Sequence, residues 1–119
     1  MDFDTARALG AAPNGLKAVI INNRGDVRLT WSAPPAFQEN VNTLASPVDF
    51  YEIYRVDGRG VTPLNIGSRV LVGGAPVDAP ATQVVDLTTR NGRTYTYFGL
   101  AQYVSGARSG ISNPAAITR

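Results

Sequence analysis

Residues 26 to 32 alternate: Val27, Leu29 and Trp31 fall on one face, Arg28 and Thr30 on the other. A period of two over that length predicts a strand with one face in a core. Pro34-Pro35 ends it, because proline cannot donate to a ladder. Residues 16 to 21, LKAVII, are a β-branched run behind the turn signal Pro13-Asn14-Gly15 and predict the strand before it. Residues 35 to 47 read as a long loop. Residues 48 to 56, VDFYEIYRV, are aromatic and β-branched, and Asp57-Gly58-Arg59-Gly60 reads as the turn after them. Residues 64 to 72 predict one short strand or two, broken at Gly67, and 73 to 81 a loop rich in Gly, Ala and Pro. Strand pattern resumes at 82 to 86. Asn91-Gly92 is a turn dipeptide, and 94 to 103, TYTYFGLAQY, is the most strand-like stretch of the chain. A last strand at 111 to 118 carries Pro114, which suits an edge.

About seven short strands with turn signals between them predict an all-β fold, a two-sheet antiparallel sandwich. Residues 1 to 12 lie outside this pattern as an N-terminal arm or linker. Asp4-Thr5 can cap a short helix through Ala11, too short to be stable alone. Residues 13 to 119 are the domain.

Composition narrows the chemistry. The chain has 119 residues, 44% of them hydrophobic and 17% charged, which suits one globular domain. The net charge is +2, and the arginines are scattered rather than clustered, so no nucleic-acid footprint is expected. There is no Cys and no His. That removes disulfides, thiolate chemistry, the commonest general base and the commonest metal ligand. Asp49, Glu52, Asp57, Asp78 and Asp86 form no recognisable acid/base pair, and Lys17 stands alone on its strand. Asp2/Asp4 and Asp78/Asp86 lack the ligand density of a Ca²⁺ loop. We expect no enzyme activity, no cofactor and no metal site. The start, Met1-Asp2-Phe3-Asp4, lacks a signal peptide's basic and apolar regions, and no apolar run approaches a membrane span.

Taken together, GDVRLTWSAP, VDFYEIYRV and VVDLTTRNGRTYTYFGLAQYVSGARSGISNPAAIT resemble the fibronectin type III domain in its bacterial and phage-borne style. The matching positions are Leu29 and Trp31, then Tyr51, Ile53, Tyr54 and Arg55, then Tyr95, Tyr97 and Ala101, with a shifted Gly106, Ser109 and Ser112. The resemblance covers about residues 13 to 118 and implies an immunoglobulin-like sandwich. It implies a core of Leu29, Trp31, Tyr51, Ile53, Leu87, Tyr95 and Tyr97. Leu87 and Tyr95 would make the corner where a tyrosine hydroxyl bonds back to the backbone, with Tyr97 as the alternative corner tyrosine. Gly99 stands where the family places a core Val, which predicts a bulge or a bulky neighbour.

Two stretches invite a functional reading. Arg24-Gly25-Asp26 is the tripeptide of some animal adhesion signals, but it falls between the first two strands, where a plain turn is expected. With Tyr51, Ile53, Tyr95, Tyr97 and Ala101 inward, Phe50, Tyr54, Phe98 and Leu100 point outward, on two strands that the resemblance makes neighbours in one sheet. That patch predicts a contact surface, unless residues 1 to 12, or Phe37 and Leu44 of the long loop, cover it. The function expected is a structural or interaction module, foremost an accessory decoration or tail component of a phage virion or similar assembly. The alternative is a spacer, or a carbohydrate- or cell-surface-binding module, of a bacterial secreted enzyme or adhesin. Its partners would be other protein chains or surface carbohydrate, not nucleic acid or a membrane interior. Its place would be the virion, or outside the cell as part of a larger chain.

Overall fold

The computed structural model describes residues 10–36, 45–58 and 69–119. The arm through residue 9, the stretch with Phe37 and Leu44, and the strand expected from 64 to 68 lie outside them. Among the described residues there are eight strands: β1 (Asn14–Ile20), β2 (Val27–Ser32), β3 (Val48–Asp57), β4 (Val70–Leu71), β5 (Val77–Asp78), β6 (Gln83–Asp86), β7 (Thr94–Tyr103) and β8 (Ala115–Thr118). Every strand pairing is antiparallel. One sheet runs β1-β2-β6; the other runs β4-β3-β7-β8, with β5 also on β3. The edge strand beside β3 is thus in two pieces, separated by a 3-10 turn at Val72–Gly74. Gly73 and Gly74 take positive φ there, a conformation that glycine adopts without a Cβ clash.

The core lies between the sheets. Val27, Leu29 and Trp31 supply the inward face of β2, and Leu16 that of β1. Tyr51 and Ile53 on β3 meet them with Tyr95, Tyr97 and Ala101 on β7. The Trp31 and Tyr51 rings touch edge to face at 5.3 Å, a favoured aromatic geometry.

Gly99 is no bulge: β3 and β7 stay in register around it, with Ile53 opposite. The bulky neighbour is Ile53, whose Cδ1 would lie 2.9 Å from a Cβ at position 99. Beyond Gly99 the edge of β7 is stitched by two serines. Ser112 N–H donates to the Gly99 carbonyl while its Oγ accepts from Gly99 N–H. Ser109 does the same at Ala101. Each serine satisfies both backbone groups of one β7 residue, so the ladder continues where β8 has not yet begun.

The chain reaches and leaves this sandwich at opposite poles. Gly10 bridges to Ser109 and its would-be Cβ faces the Tyr103 ring, beside the end of β7. Arg119 N–H donates to Arg93 O, just before β7 begins. Arg93 and Ala101, the β7 partner of Ser109, are eight positions apart, roughly 27 Å of strand.

Candidate functional site

Leu87 corrects the expected core: it is 69% exposed. The parity of β6 explains this. Val84 packs against the core and Asp86 follows it inward, so Val85 and Leu87 point out. A carboxylate therefore occupies the inward place given to a leucine, and it is 2% exposed. Burying a charge is costly unless it is paired and hydrogen-bonded. Asp86 is both. It accepts from Arg55 Nη1 at 2.9 Å, Tyr97 Oη at 2.8 Å, Thr88 N–H at 2.9 Å and Thr88 Oγ1 at 2.7 Å. Burial pushes this carboxyl up, but the bonds from Thr88, Arg55 and Tyr97 outweigh it and hold it below the usual value. Burial first, and Asp86 second, push the Tyr97 hydroxyl up, so it stays a donor.

Arg55 and Tyr97 belong to one sheet and Asp86 to the other, so the group bolts the sheets together at one end of the core. The Arg55 guanidinium also lies 4.7 Å from the Tyr95 ring centre. Tyr95 makes the bond to the backbone expected of a corner tyrosine: its hydroxyl accepts from Arg90 N–H at 2.9 Å. Tyr97 bonds the carboxylate instead.

Beside this bolt the surface opens into a cleft of about 290 Å³, lined by Arg55, Asp57, Thr88, Arg90, Arg93 and Tyr95. Arg93 meets Asp57 at 3.7 Å, with both side chains more than half exposed. No described residue bonds the Arg90 guanidinium.

The outer face of β3 and β7 carries the four residues expected as a contact patch. Tyr54 stacks on Phe98 with ring centres 5.7 Å apart, and the Arg69 guanidinium lies 4.6 Å from the Tyr54 ring centre. Phe98 and Leu100 are 1% and 2% exposed, already closed over within the chain, while Phe50 and Tyr54 are half-buried. A partner would reach only the latter two. Arg108 and Glu52 form an ion pair nearby at 3.1 Å.

Arg24-Gly25-Asp26 forms a turn. Gly25 has φ +82°, and the Arg119 guanidinium sits where its Cβ would be. Asp26 is 7% exposed, its carboxylate taken by Asn22 Nδ2 at 2.8 Å and Arg24 Nη2 at 3.0 Å. A receptor would have to displace both.

Among the described residues no group of three or more His, Cys, Asp or Glu can hold a metal ion, and no helix is long and apolar enough to cross a membrane. The sequence matches no family model and no curated protein. Solved structures do match. A Fn3-like protein from Clostridium thermocellum superposes with TM-score 0.66 at 23% identity, over 92% of each chain. The FN3 domain of human collagen XX gives 0.60 at 20% identity, over 95% of this chain and 94% of that one. A pectate lyase from Pectobacterium carotovorum gives 0.59 at 18% identity, over 90% of this chain but only 26% of its own. Folds of this kind thus occur inside larger chains, bacterial enzymes included. The likeness, the two antiparallel sheets and the tyrosine bonded to the backbone before β7 together give this chain the fibronectin type III fold.

Proposed function

We propose that this chain is a non-catalytic module that acts through position and contact, keeping whatever adjoins its two poles apart. The observation that carries the reading is the placement of Gly10 and Arg119 at opposite ends of β7. The Asp86 bolt supports it, because a cross-sheet tie near one pole resists shear between the layers. Two settings suit such a module: a decoration or tail component of a phage virion, and a spacer inside a bacterial secreted enzyme or adhesin. The second is favoured by the matching folds within the pectate lyase chain and within a β-1,2-glucanase from Parabacteroides distasonis.

The test uses the lack of native cysteine. A donor and an acceptor dye are attached at Ala11→Cys and at a cysteine added after Arg119. A narrow distance distribution near 30 Å, plus the dye linkers, is expected from the strand length. A broad distribution, or ends that approach within about half that span, refutes the spacer reading. Turnover of any substrate by the purified chain refutes the non-catalytic half. The mass of the native assembly separates the settings, a many-copy particle against a single longer chain.

A further inference from the structure

The cleft beside the Asp86 bolt draws on three separate segments: the end of β3, the connection after β6, and the start of β7. Three of its six lining residues are arginines, and one, Asp57, is acidic. Arg55 is neutralised by Asp86 at 2.9 Å. Arg93 is loosely held by Asp57 at 3.7 Å in water, a contact of little strength. Arg90 has no charge partner among the described residues. Among the described residues, one guanidinium is therefore free and a second is easily released. The buried Nε of Arg55, one of the lining residues, also has no hydrogen-bond partner. Guanidinium groups bind carboxylates in a two-pronged fork.

The size and lining restrict what such a carboxylate belongs to. About 290 Å³ is far more than a lone inorganic anion fills and is enough for a sugar ring. Asp57 can accept from hydroxyls, and it disfavours a doubly charged phosphate. Tyr95 is buried under Arg55, so there is no open ring on which an apolar or aromatic ligand could stack.

We propose that the cleft binds a uronic-acid unit of an acidic polysaccharide, with Arg90 and Arg93 on the carboxylate and Asp57 on ring hydroxyls. The site is independent of the spacer reading, since neither needs the other.

The experiment titrates the ¹⁵N-labelled chain with trigalacturonate, with the neutral trisaccharide maltotriose, and with sodium sulfate. Trigalacturonate should shift the amides of residues 55–57, 88–95 and their neighbours, and maltotriose should not. Affinity should fall as salt rises. Arg90→Gln with Arg93→Gln should weaken binding about tenfold or more, the scale of a lost charge-assisted bond, while the remaining spectrum is unchanged. Both residues are exposed, so the pair leaves the core intact. Asp57→Asn should weaken trigalacturonate but not sulfate. Sulfate that displaces trigalacturonate at equal concentration would show a bare anion site and overturn the proposal. So would shifts elsewhere on the surface, an acidic peptide that outcompetes the sugar, or no shifts at all.

Discussion

Asp86→Ala would leave the Arg55 charge where it is and take away its counter-ion. The Arg55 side chain is 11% exposed, too enclosed for water to replace the carboxylate fully. Removing one partner of a buried ion pair costs about 3 to 5 kcal/mol. The Tyr97 hydroxyl, on a fully buried residue, loses its acceptor as well, and an unsatisfied buried donor costs about 1 to 3 kcal/mol. The two losses share one cause and will not add fully, so the expectation is about 4 kcal/mol. That is about a quarter or more of the ~5 to 15 kcal/mol that holds a domain of this size together. A second variant separates charge from packing. Asp86→Leu with Arg55→Met and Tyr97→Phe removes the ion pair and the tyrosine hydroxyl together and leaves the exposed Thr88 to water, and should lie within about 1 kcal/mol of the parent or above it. Urea unfolding followed by fluorescence of Trp31, the only tryptophan, reads both. A loss below about 1 kcal/mol for Asp86→Ala would mean that water or another group stabilises Arg55, and the bolt would be dispensable.

Gly99→Ala should cost about 1 to 3 kcal/mol by pressing on Ile53, and Ile53→Val in the same chain should restore most of it; equal stability of Gly99→Ala and the parent would show that Ile53 swings aside freely. Asp26 is held below the usual carboxylate value by the Asn22 amide first and by Arg24, and Asp86 by the bonds that outweigh its burial. Both folded values lie below the unfolded ones, so both groups stabilise above about pH 4 and lose that contribution as pH falls through the folded values. The urea midpoint should therefore drop on acidification below about pH 4, and a midpoint constant down to pH 2 would refute the pairing. Asp26→Glu should leave cell attachment unchanged; integrin-dependent attachment by the parent that this variant loses would show that the turn opens to a receptor.

The strands with clear parity were legible. β2 alternates in sequence and in burial, and β7, apolar on both faces, is covered on both faces. Leu87 was not legible, because hydrophobicity alone puts a leucine inward and an aspartate outward. The reversal depends on Arg55, which shares the inward parity of Tyr51 and Ile53 yet lies 31 residues from Asp86. A charged residue on the core side of β3 was the available signal, and it asks for an acid opposite. The pieces β4 and β5 are two residues each, too short for a period to show, and β5 falls in a stretch whose Gly and Pro content reads as loop. The cleft was hidden for another reason: its arginines are scattered along the chain, and only the corner after β6 brings Arg90 and Arg93 up to Arg55.

The placement of Gly10 and Arg119 has a mechanical consequence. β1 runs from the pole near Gly10 toward the pole near Arg119, and β8 runs the same way. Tension applied at the two ends would draw β1 back toward its own start and β8 onward past its end. Each would be dragged lengthwise along its neighbour, β2 or β7, instead of being peeled from it. Lengthwise loading spreads force over all the bonds of a ladder at once, whereas peeling breaks them in turn. Ahead of β8, the Ser109 and Ser112 stitches lie along the same line of force and carry part of the load. A pulled chain of this topology should therefore hold its length up to a sharp yield force and then give way in a single step.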